Sequence, residues 1–211
     1  MKKISKLHYI TTDAKLAEAA CAGGADWIQL RLKQVPVEDY LNEAIRVKAV
    51  CKRFGATFII NDNVHVARDV GADGVHLGRE DMSPDEARNI LGEQAIIGCT
   101  ANTRKDVAGL CEKKVDYIGL GPFRFTATKQ KLSPVLGYAG YSRLMAYFQE
   151  ASFTLPPVVA IGGIRLADVD DILNTGVHGI AISGAISNAA DPVSALRQFK
   201  NITDTYKRVK G

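Results

Sequence analysis

Gly71-Ala72-Asp73-Gly74-Val75-His76-Leu77 decides how the chain is to be read. A glycine suited to the left-handed end of a helix is followed by a short polar break and then by an apolar run of strand length. The same joint recurs as Gly23-Gly24-Ala25-Asp26, as Lys114-Val115-Asp116 and as Gly176-Val177-His178-Gly179, each leading into another apolar run. Working outward from these joints, strands are expected at 7–12, 27–30, 57–61, 74–77, 96–99, 117–120, 158–161 and 179–182. Helical periodicity fills the gaps at 38–53, 83–91, 102–113, 138–149, 166–174 and 192–207, and more weakly at 14–22 and 64–70. Eight βα units read as an α/β fold, a single (β/α)8 TIM barrel over 1–211, rather than an open doubly wound sheet. No Gly-x-Gly-x-x-Gly turn follows the first strand, as a dinucleotide-binding layout would require.

Composition sets bounds without choosing a function. The 211 residues are 46% hydrophobic and 24% charged, ordinary values for a globular protein. A net charge of +4 is scattered along the chain, which argues against nucleic acid as a partner. Charged and polar residues interrupt any apolar run near the start, so no membrane association is expected and the protein reads as soluble and cytoplasmic. Cys21, Cys51, Cys99 and Cys111 form no metal-ligand spacing and read as free thiols, with Cys99 notable for its place at a strand end.

In such a barrel the chemistry belongs at the C-terminal ends of the strands. Gln29, Arg31 and Lys33 alternate toward one side after the second strand, where lumen-facing cations call for an anionic partner. Asn61-Asp62-Asn63 ends the third strand and reads either as a turn or helix cap or as part of a site. His76-Leu77-Gly78-Arg79-Glu80-Asp81 ends the fourth, and Ser83-Pro84 reads as the start of the next helix. Carboxylates at two neighbouring strand ends suit one shared Mg²⁺ completed by substrate phosphate oxygens. Thr100 puts a hydroxyl at the end of the fifth strand, with Asn102 or Thr103 available to cap the helix instead.

After the sixth strand, Gly121-Pro122-Phe123-Arg124-Phe125-Thr126-Ala127-Thr128-Lys129 carries hydroxyls and cations that suit an oxyanion, within a long non-periodic stretch at 121–137. Ile161-Gly162-Gly163-Ile164 and Ile182-Ser183-Gly184-Ala185 follow strands seven and eight, the usual phosphate site of such barrels. His76 reads as a rim or core histidine more readily than as a ligand contact. No Ser-His-Asp or Cys-His arrangement is readable, which disfavours covalent acyl chemistry.

Taken in order, Gln29-Leu30-Arg31-x-Lys33, Asn61-Asp62, His76 to Asp81, Gly121-Pro122 with Thr126 to Lys129, Ile161 to Ile164 and Ser183-Gly184 resemble the thiamine-phosphate synthase family over nearly the whole chain. The resemblance implies transfer of a hydroxymethylpyrimidine group from its diphosphate to the nitrogen of a thiazole phosphate, releasing pyrophosphate. By that resemblance Gln29 reads the pyrimidine, and Arg31, Lys33, Asn61 and Lys129 hold the diphosphate. Asp62 and Asp81 bind Mg²⁺, and Thr100 lies near the pyrimidine. Thr126, Ala127, Thr128, Gly163, Ser183 and Gly184 hold the thiazole phosphate, with Leu30 and Leu32 in the stretch that contacts substrate. Arg31, Lys33, Thr100 and Lys129 carry the catalytic roles. The partners so implied are the two small molecules, and a homodimer is left open.

Four positions depart from the family's pattern: Leu32 where Glu is usual, Arg79 where Gln is common, Thr100 where Ser is usual, and Ala127 where an acid is common. A thiazole tautomerase on the same barrel and a non-catalytic phosphate-ligand sensor stay open as alternatives.

Overall fold

The computed structural model describes residues 2–125, 134–151 and 153–206. Strands β1 (Leu7–Thr11), β2 (Trp27–Leu30), β3 (Thr57–Asn61), β4 (Gly74–Leu77), β5 (Ile96–Ala101), β6 (Tyr117–Leu120), β7 (Val158–Ile161) and β8 (Gly179–Ile182) alternate with helices α1 (Ala14–Ala22), α2 (Val37–Phe54), α3 (Val64–Val70), α4 (Pro84–Leu91), α5 (Arg104–Cys111), α6 (Gly137–Glu150) and α7 (Val169–Asn174). A 3₁₀ turn over Leu166–Asp168 precedes α7, and α8 (Gly184–Ser187) and α9 (Pro192–Thr205) close the order. All strand pairs are parallel, and β8 pairs with β1 to close the barrel. The short α8 lies where no helical period is readable, because four residues make barely one turn.

Side-chain parity divides the molecule into two layers. Ile10, Trp27, Ile59, Ile96, Tyr117, Val159 and Ala181 fill the lumen. Ile28, Leu30, Ile60, Val75, Ile97, Ile118, Ala160 and Ile180 face outward and pack in the larger core with the helices. Within the lumen the ring of His8 stacks on Trp27 at 4.1 Å, and Tyr117 meets both edge-on. Gly98 makes room for that tyrosine, since a β-carbon there would fall 2.1 Å from its ring.

The recurring joint has a physical role at the opposite end from the chemistry. Gly71 takes φ +63° and ends α3, as expected of a left-handed cap. The polar residue just before each even-numbered strand then ties down a neighbour. Ser5 Oγ donates to Asp26 at 2.6 Å, Asp73 accepts from the Phe58 N–H at 2.7 Å and Asp116 from the Ile97 N–H at 2.8 Å. His178 Nε2 lies 2.9 Å from the Ile4 carbonyl. Asp116 also pairs with the buried Arg88 at 2.7 Å and with Lys2 at 3.0 Å.

The helix starts behave as their residues dictate. Asn63 caps α3 through the Val66 N–H, Ser83 and Glu86 form a reciprocal box at α4 with Pro84 in the first turn, and Thr103 caps α5. Thr103 therefore leaves the Thr100 hydroxyl for the barrel mouth. No helix among the described residues is long and apolar enough to cross a membrane.

Candidate active site

Polar side chains collect where β2, β3, β4 and β5 end. Gln29 is 3% exposed and donates from Nε2 to Asn61 Oδ1 at 2.8 Å, while Asn61 Nδ2 has no partner among the described residues. A buried donor left unpaired is costly unless something else accepts from it. Tyr40 on α2 braces the two strand ends, its hydroxyl sharing its one hydrogen between the carbonyls of Leu30 and Asn61, each 2.9 Å away. Nothing in the sequence pattern announced that contact, because an aromatic on an amphipathic helix reads as core.

Asp62 follows with φ 65°, and its N–H donates to the His76 carbonyl at 2.8 Å. Its Oδ2 pairs with Lys33 Nζ, which remains half exposed. The Asp81 carboxylate accepts from the Gly78 N–H at 2.6 Å. A β-carbon added to Gly78 would lie 2.9 Å from Asp81 Oδ2 and 4.0 Å from Asp62 Oδ1, so the two acids crowd one side of that residue. Burial and then the Asp62 carboxylate push the Asp81 pKa up. Among the described residues no group of three or more metal-binding side chains occurs. Two adjacent carboxylates do fit a Mg²⁺ ion that takes its remaining ligands from substrate phosphates and water.

Thr100 Oγ1 lies 3.0 Å from His76 Nε2, and His76 Nδ1 lies 2.9 Å from the Tyr117 hydroxyl. The histidine is thus a buried link between a lumen tyrosine and the mouth hydroxyl. Gly119 admits it, because a β-carbon there would come within 2.8 Å of the imidazole. On the far side of the mouth, Gly162 and Gly163 turn with φ +101° and +67°, and Ser183 joins β8 to α8, which opens at Gly184.

The sequence matches the family described as thiamine monophosphate synthase over residues 4–186. The chain belongs to the thiamine monophosphate synthase family. A thiamine-phosphate synthase of Phocaeicola vulgatus is 51% identical over 186 residues, covering 88% of this chain and 89% of that protein. One from Flavobacterium psychrophilum is 46% identical over 201 residues, covering 92% and 97%. Among solved structures, thiamine phosphate pyrophosphorylase from Pyrococcus furiosus superposes with a TM-score of 0.83 at 30% identity, covering 94% of this chain and 95% of that one.

This thiamine monophosphate synthase framework also places the remaining residues singled out in the sequence. Leu30 and Leu32, in the stretch read as contacting substrate, have their side chains in the layer between barrel and helices, as strand alternation away from Gln29 and Arg31 dictates. Only their backbone is left to the mouth. Arg124, which lies in the loop whose hydroxyls and cations suit an oxyanion, is engaged in a two-pronged pair with Asp168 at 2.9 and 3.0 Å. Cys99 lies on the outward parity, and burial pushes its thiol up to about 12, so it is not a poised nucleophile. Arg31 is half-buried immediately after β2, with its N–H on the Thr11 carbonyl at 2.9 Å. Arg79 lies 4.0 Å from Asp106. Thr126, Ala127, Thr128 and Lys129 lie outside the described residues.

Proposed function

We propose that the protein is a Mg²⁺-dependent thiamine-phosphate synthase, joining the pyrimidine diphosphate to the thiazole phosphate with release of pyrophosphate. The adjoining Asp62 and Asp81 carboxylates beside Lys33 carry this reading, supported by membership of the family and by relatives named for that activity. A tautomerase or a silent phosphate sensor has no need of that acid pair.

The residues divide the work by charge. Gln29 and the unpaired Asn61 Nδ2 supply polar groups for the pyrimidine end and the first phosphate. Arg31 and Lys33, with Lys129, would meet the diphosphate; these cations favour the transition state because negative charge grows on the leaving group as the C–O bond lengthens. Asp62 and Asp81 would hold Mg²⁺, which when bound neutralises phosphate charge. The thiazole nitrogen then attacks the electron-poor methylene, and no protein base is required. That economy agrees with His76, whose ring is engaged by Tyr117 and Thr100. Gly163 and the backbone of Ser183-Gly184 would receive the thiazole phosphate.

Free cysteines at 21, 51, 99 and 111 suit a reducing compartment, and a cytoplasmic location is part of the same reading. The test is to incubate purified protein with both substrates, with and without Mg²⁺, and to assay thiamine phosphate and pyrophosphate. Both products are expected in equal amounts only with the metal. Their absence under both conditions would sink the assignment.

A further inference from the structure

Arg124 stands at the base of the segment that follows β6, and it is tied across the barrel mouth rather than left open to ligand. Its guanidinium grips both oxygens of Asp168 at 2.9 and 3.0 Å and also donates to the Gly163 carbonyl. Asp168 is 7% exposed, although it lies forty-four positions further along the chain. The Tyr138 hydroxyl donates to the same carboxylate at 3.0 Å from the first turn of α6, and the Arg165 N–H donates to it at 2.7 Å. Three separate segments, after β6, at the start of α6 and after β7, therefore meet on one acid.

The backbone is stitched along the same seam. Phe123 N–H donates to the Ile161 carbonyl at 2.8 Å and Arg124 N–H to the Gly162 carbonyl at 2.9 Å. Gly162 has no room for a side chain, since a β-carbon would meet Pro122 at 2.8 Å. Its neighbour Gly163 is exposed and held in a left-handed conformation. A two-glycine turn of this kind has many conformations open to it when unrestrained, and only one of them presents a given set of N–H groups to an anion. Fixing it in advance removes an ordering cost from binding.

We propose that Arg124, Asp168 and Tyr138 are positioning residues that pre-form the Gly162-Gly163 turn for the phosphate of the second substrate, and so set affinity for that phosphate rather than the rate of bond breaking. This rests on the reading of Gly163 as a phosphate contact. The clamp touches none of Gln29, Asn61, Asp62 or Asp81, and its loss leaves the diphosphate end intact. The partial exposure of Arg124 allows solvent to screen the pair, which keeps the expected effect moderate.

Steady-state kinetics of Asp168→Asn, Arg124→Gln and the double variant test this. Each single change is expected to raise KM for the thiazole phosphate about tenfold while KM for the pyrimidine diphosphate stays within about twofold. The double variant should be no worse than the more affected single one, because both remove the same clamp. Unchanged thiazole-phosphate KM, parallel rises in both KM values or additive losses would each overturn the proposal.

If Asp168→Asn does not fold, Tyr138→Phe removes one hydroxyl, and a rise of about twofold confined to the thiazole phosphate is expected. No change in that variant counts against the clamp. If the unaltered protein makes no thiamine phosphate, the functional reading fails and the clamp is judged separately by hydrogen exchange. Faster exchange at the Gly162 and Gly163 amides in Arg124→Gln, with weaker binding of inorganic phosphate by titration calorimetry, supports it. Unaltered exchange refutes it.

Discussion

Asp62 adopts a left-handed backbone, with φ 65°. Alanine at that position would carry a conformational cost of about 1 kcal/mol unrelated to metal binding, whereas asparagine tolerates the conformation. Asp62→Asn and Asp81→Asn are therefore the informative changes. Each is expected to lower Mg²⁺-dependent turnover by at least about a hundredfold while leaving the fold intact, read as kcat at saturating Mg²⁺ and as Tm. Asp81→Asn should also keep or raise Tm at neutral pH. Its folded pKa is raised by burial and then by Asp62, so its ionisation costs stability as pH rises above the unfolded value of about 3.9, and that cost is complete once pH exceeds the folded value. Turnover unaltered in either variant removes the metal role. Thr100 is a second case: its hydroxyl lies 3.0 Å from His76 Nε2, which orients it toward the mouth. Gly119→Ala is expected to displace His76 and lower kcat without shifting the Mg²⁺ requirement, checked by kinetics across metal concentrations.

At the level of elements, the strands were readable because each is a short apolar run buried on both faces and bounded by polar joints. The run at 74–77 shows this, with its Gly71-Ala72-Asp73 approach. The first strand stops at Thr11, one residue before the expected end, because Thr11 Oγ1 and Asp13 turn the chain into α1. The fifth runs two residues longer, to Ala101, since Thr100 and Ala101 still pair with β6. Two kinds of feature were not legible. The Arg124 and Asp168 pair joins residues forty-four apart, a separation at which no local pattern exists. Likewise, the acids of the joints looked like loop residues, although Asp73 and Asp116 each satisfy a strand N–H on a neighbour. Asp73→Ala leaves the Phe58 N–H without its acceptor and is expected to cost about 1–3 kcal/mol of stability with kcat/KM unchanged, measured by urea denaturation alongside the synthase assay.

Across the whole molecule, acid sensitivity follows from the same knots. Burial pushes the Asp116 pKa up, but the Ile97 N–H, Arg88 and Lys2 together outweigh it and hold the carboxyl below its usual range. Arg124 does the same for Asp168 against a smaller burial cost. A depressed folded pKa gives stability that is complete above the unfolded value of about 3.9 and is lost as pH falls from there through the folded value. Tm should therefore drop more steeply below about pH 4 in the unaltered protein than in Asp116→Asn, whose Tm is lower at neutral pH. Equal slopes would exclude Asp116 as a contributor. The latches at Asp26, Asp73, Asp116 and His178 gather before the strands begin, whereas Gln29, Asn61, Asp62 and Thr100 stand where the strands end, a strand length of about 13 Å away. Loss of Asp62 or Asp81 at the mouth therefore leaves the latches at the opposite rim in place, and a folded, abundant copy need not be an active one.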